Sequence, residues 1–126
     1  MALLLTTPIY LMNKKATHML FIVFALLAFA ALLYHTAGAV QPFDKTPAWR
    51  HTLFIAINTI CIYGLLKKPK WFVWFFGALT IQQLYSHGSH LIKLLGENKA
   101  NLLDAAVIIL MPLIFILLLI NQKSKL

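Results

Sequence analysis

The sequence predicts an all-α integral membrane protein, a single domain of four bundled transmembrane helices with both termini cytoplasmic. Three observations predict it. Of the 126 residues, 61% are hydrophobic and only 11% are charged, and the mean hydropathy is +0.82. A soluble domain of this size cannot bury so much apolar surface, whereas helices in lipid leave it against acyl chains. The apolar residues also fall into four runs, each close to the ~20 residues that cross roughly 30 Å of hydrocarbon. Finally, the cations lie between these runs. A formal charge of +8 would suggest nucleic acid in a soluble chain; here topology accounts for it, and no nucleic-acid partner is expected.

The first span covers 16–40, until Gly38, Pro42 and Pro47 stop it and shape a loop. Lys14-Lys15, the apolar run and Ala37-Gly38-Ala39 also have the layout of a signal peptide. The length of the run favours a retained span. Met12-Asn13-Lys14-Lys15 reads as a natural start, which makes 1–11 an upstream extension or an interfacial stretch. The second span, 49–66, is the shortest and ends at Lys67-Lys68-Pro69-Lys70. The third, 71–92, stays helix-compatible to about Leu95, although Tyr85-Ser86-His87-Gly88-Ser89-His90 is too polar to meet lipid on every face. The fourth, 101–120, contains Pro112, which removes one backbone donor, frees the Ile108 carbonyl and predicts a kink.

Orientation follows from the positive-inside rule. Lys14, Lys15, Lys67, Lys68, Lys70, Lys123 and Lys125 fall on one side with no acid. Lys45, Arg50, Lys93 and Lys99 share the other side with Asp44, Glu97 and Asp104. The first side is therefore cytoplasmic, and a bacterial inner membrane is the expected location, with the lipid bilayer as the first partner. Trp49, Trp71 and Trp74 sit at segment ends, as interface anchors do.

Alternating helix direction then collects four of the five histidines at the outward end. His35 closes the first span, His51 opens the second, His87 and His90 close the third, and Asp104 opens the fourth. Ionisable groups within a span are costly and mark interior or functional positions. Gln83, His87 and His90 are spaced to share one helical face, with Gln82, Ser86 and Ser89 beside it. Asn58 lies two turns below His51, and Asn101 pairs with Asp104 at i, i+3.

Imidazoles beside a carboxylate are a common donor set for first-row transition metals. The sequence therefore predicts one outward-facing site with His35, His51, His87, His90 and Asp104 as ligands. Asn58, Gln83 and Ser86 are expected to orient them from behind. Zinc or copper leads, and b-type haem on two opposed histidines is the lesser expectation. Two other functions compete with metal handling. One is metal-dependent hydrolysis of lipid, with metal-bound water as nucleophile. The other is a non-catalytic subunit whose polar outer half docks on a second membrane protein or on another copy of the chain.

The remaining features read plainly. Histidines at helix ends are tolerated at the interface, and polar side chains also glue membrane helices without further role. His18 is expected to snorkel toward headgroups. Asp44, Lys45 and Arg50 read as solvated surface, and Trp71 to Phe76 as an aromatic belt. Small residues such as Gly64 and Gly77 mark close helix packing, and the lone Cys61 has no partner for an intramolecular disulfide.

Overall fold

The computed structural model describes residues 13–123. The proposed start at Met12, the 1–11 stretch and Lys125 lie outside the described residues. Four helices follow in order: α1 Lys14–Val40, α2 Ala48–Lys67, α3 Lys70–Gly96 and α4 Leu102–Lys123. Their ends depart from the expected spans by about one turn at most. Two of them, α1 and α4, are long and apolar enough to cross a membrane. The α-helix continues through Pro112.

The chain divides between Lys67 and Lys68 into two compact units. Each is a helical hairpin: α1 packs along α2, and α3 along α4. In hairpin one, Asn13 caps α1 by accepting the Lys15 amide at 3.0 Å, which satisfies one of the orphan donors at a helix start. Phe21, Phe24 and Ala25 on α1, with Cys61, Gly64 and Leu65 on α2, are buried. The helix ends where the Gln41 amide closes onto the Ala37 carbonyl, with Pro42 next, which lacks the amide hydrogen that another turn needs.

Hairpin two starts at Lys68, whose φ of 52° turns the chain sharply before Pro69. Phe72, Val73, Phe76 and Thr80 form the buried stripe of α3, and Ile114, Leu117 and Leu118 are buried on α4. Gly77 allows the close approach of the two helices: a Cβ there would stand 2.9 Å from Cε2 of Phe115.

The turn after α3 is a Schellman motif, in which two amides fold back onto carbonyls of the last turn. Asn98 occupies the left-handed position, φ 56°. Its amide bonds the Leu95 carbonyl at 3.1 Å, and the Lys99 amide reaches Leu94 at 2.8 Å. Asn tolerates this conformation better than most residues. Asn101 then caps α4, its Oδ1 accepting the Leu103 amide at 2.9 Å. At the opposite end, Gln122 Nε2 donates to the Lys68 carbonyl at 3.0 Å.

Large apolar side chains remain exposed on every helix, among them Leu26, Tyr63, Trp74, Ile81, Tyr85, Ile92 and Ile109.

Candidate functional site: two histidine–aspartate networks

Each hairpin carries one network at the end where its two helices are joined. In hairpin one the carboxylate comes from the connection itself. Asp44 folds into an Asx turn, with Oδ1 accepting the Thr46 amide at 2.9 Å. The same oxygen accepts from His51 Nε2 at 3.1 Å, and Oδ2 accepts the Tyr34 hydroxyl at 2.9 Å. The Thr46 amide, and after it His51 and Tyr34, hold the carboxyl down at about 2 against partial loss of water.

His51 is 1% exposed, and both of its ring nitrogens are engaged. An ionised carboxylate only accepts, so Nε2 of His51 bears a hydrogen. Its Nδ1 lies 3.0 Å from Nδ1 of His35. In the neutral pair, His35 Nδ1–H donates and His51 Nδ1 accepts, which leaves the lone pair of His35 on Nε2. Aromatic rings enclose the two imidazoles: Phe54 stacks on His35 with centroids 5.0 Å apart, while Tyr34 and Phe43 approach His51 at 6.1 and 6.0 Å. The floor is Gly38, where a Cβ would stand 2.5 Å from Cε1 of His51.

In hairpin two the carboxylate is helical. Asp104 sits in the first turn of α4 and is 3% exposed. Its Oδ1 accepts from His87 Nδ1 and its Oδ2 from His90 Nδ1, both at 2.6 Å. The spacing of His87 and His90 continues the buried stripe that runs through Phe76 and Thr80. Their side chains are 26% and 53% exposed. With both Nδ1 atoms donating, each neutral ring presents its lone pair on Nε2.

The five predicted ligands thus fall into two groups, His35 with His51 and His87 with His90 and Asp104. Among the described residues, no group of three or more His, Cys, Asp or Glu side chains is disposed to hold a metal ion. The hydrogen bonds give the reason: the acids and imidazoles are turned toward one another. Asp104 uses both oxygens to accept histidine N–H groups.

The expected orienting residues take other partners. Asn58 Nδ2 donates to the Phe54 carbonyl of its own helix at 2.8 Å, and Gln83 Nε2 to Gln82 Oε1 at 2.6 Å. Neither they nor Ser86 bonds a histidine ring among the described residues. Their place is taken by Asp44, read from sequence as solvated surface, and by Tyr34. The signal for Asp44 was present: Asp-Lys-Thr-Pro ahead of a helix is an Asx-turn pattern that fixes the aspartate side chain.

No family model, no curated protein and no solved structure matches the chain.

Proposed function

We propose that the protein is a small four-span membrane protein that binds a transition metal, zinc or copper, at its outward end through Nε2 of His87 and Nε2 of His90. The observation that carries the reading is the shared carboxylate. Asp104 accepts both Nδ1–H groups, which fixes the tautomer and raises the basicity of the opposite nitrogens, as outer-sphere carboxylates do for metal-bound histidines. Hairpin one is left out of the ligand set, because it offers one unengaged imidazole nitrogen, Nε2 of His35, where hairpin two offers two. Two protein donors leave positions open on a tetrahedral ion. An open position suits metal-dependent attack on lipid as a second reading.

Membrane integration of all four helices is part of the proposal. The 20 residues of α2 reach ~30 Å at 1.5 Å per residue, and α3 is longer. The exposed apolar residues on each helix match a lipid environment, and the distribution of lysines orients both termini to the cytoplasm of a bacterial inner membrane. A fluorescent protein fused after the C-terminus tests this orientation, since it should mature only on the cytoplasmic side.

The metal reading is tested by elemental analysis and by zinc and copper titration of untagged protein in detergent. Wild type should retain close to one ion per chain. His87→Ala and His90→Ala should lose it. Wild type that binds neither ion, or alanine variants that bind as wild type does, would overturn the reading.

A further inference from the structure

Hairpin one contains a chain of hydrogen bonds that metal binding does not use: Asp44 to His51, His51 to His35, and then the free Nε2 of His35. We infer that this chain is a one-proton relay, which accepts a proton from water at Nε2 of His35 and stores it on His51 against Asp44. The inference stands independently of the metal reading of hairpin two.

The step balances without any change in oxidation state. Hydronium gives its proton to His35 Nε2 and leaves as water. The His35 Nδ1–H bond breaks as an N–H bond forms at His51 Nδ1, 3.0 Å away. His35 ends neutral with its hydrogen on Nε2. His51 becomes an imidazolium whose Nε2–H already points at the Asp44 carboxylate. Release reverses each transfer.

Three features make the direction specific. The carboxylate bonds only the inner ring, so the added charge is best paired on His51. That ring is buried and enclosed by Tyr34, Phe43 and Gly38, so a positive charge there depends on its bond to the Asp44 carboxylate. The junction between the rings also limits the load. Two nitrogens at 3.0 Å have room for one hydrogen between them, so the pair cannot become doubly charged without breaking its bond. Within this hairpin, Tyr34 of α1, Asp44 of the connection and Arg50 of α2 are the charged or titratable groups acting on the two rings. Tyr34 donates to the far oxygen of Asp44, adding to the Thr46 amide and His51 in favouring the ionised carboxylate.

The test is a pH titration of the full chain in phosphatidylcholine nanodiscs, followed by nitrogen NMR of labelled histidine. His35→Gln and His51→Gln assign the signals. In wild type, His35 and His51 should share one midpoint and take up one proton together, while His51 Nε2 stays protonated throughout. Asp44→Asn should lower that midpoint by about one pH unit or more, since an adjacent carboxylate favours imidazolium by this amount. Tyr34→Phe, which keeps the aromatic ring, leaves Asp44 ionised and removes a donor that competes for it, so it should move the midpoint the opposite way by less. Two separate midpoints in wild type would overturn the relay. So would an unmoved midpoint in Asp44→Asn.

Discussion

The two hairpins use the same three side chains, one carboxylate and two imidazoles, in different circuits. In hairpin one they stand in series: Asp44 holds His51, and His51 holds His35. In hairpin two they stand in parallel: Asp104 holds His87 with one oxygen and His90 with the other. Composition therefore does not decide the chemistry. A series arrangement leaves one free nitrogen at the end of a hydrogen-bonded chain, whereas a parallel arrangement leaves two free nitrogens on separate rings. The position of the acid selects between them. A carboxylate in a seven-residue connection (41–47), held by its own turn, reaches one ring. A carboxylate in the first turn of a helix faces the neighbouring helix and spans two positions one turn apart.

The largest expected effect comes from removing the shared acid. Asp104→Ala should weaken metal binding by ~10–100-fold, the usual loss when an outer carboxylate is deleted. Asp104→Asn sharpens the comparison, because its amide can accept from one histidine but offers N–H to the other. It should therefore disturb one ring and spare one, visible as loss of a single histidine signal shift. Neither change should alter the titration of hairpin one.

Gly38→Ala breaks the other circuit. Its Cβ would collide with an imidazole held by bonds on two sides, so the ring cannot simply rotate away. A cost of ~1–3 kcal/mol is expected, the range for overpacking a filled site, measured by thermal or denaturant unfolding. Metal binding at hairpin two should be retained. Asn98→Ala is smaller, about 1 kcal/mol in the same assay, because alanine pays for the left-handed backbone, and Asn98→Gly should cost nothing.

The smallest effect is that of acid. The folded value of the Asp44 carboxyl, about 2, lies below its ordinary 3.8. Its bonds therefore stabilise hairpin one fully above the ordinary value, and that contribution fades as pH falls toward about 2. Tyr34 fluorescence or NMR should follow this loss between pH 4 and 2.

Much of this fold was legible in the sequence. Apolar runs and their punctuation place all four helices, and the i, i+3 spacing of His87 and His90 puts both rings within reach of Asp104. Side-chain partners were less legible, for a consistent reason. A helical hydroxyl or amide finds its nearest acceptor in its own previous turn. Thr36, Thr52, Asn58, Thr59, Thr80 and Ser89 all bond the carbonyl four residues back. Helical periodicity shows which way Asn58 faces but not that its amide is already spent. Asp44 escaped for the opposite reason: it lies in a loop, where polarity suggests solvent, and only the turn geometry turns it inward.

The Asx turn has a practical corollary. Because Asp44 belongs to the connection and not to a helix, an epitope spliced between Asp44 and Thr46 would sever the amide contact that aims the carboxylate. The same peptide placed between Lys99 and Ala100 would lie past the Schellman bonds and ahead of the Asn101 cap, and both helices could keep their registers. The second linker is thus the one to carry a tag, and antibody access to it in intact cells would test the proposed outward orientation of the histidine end.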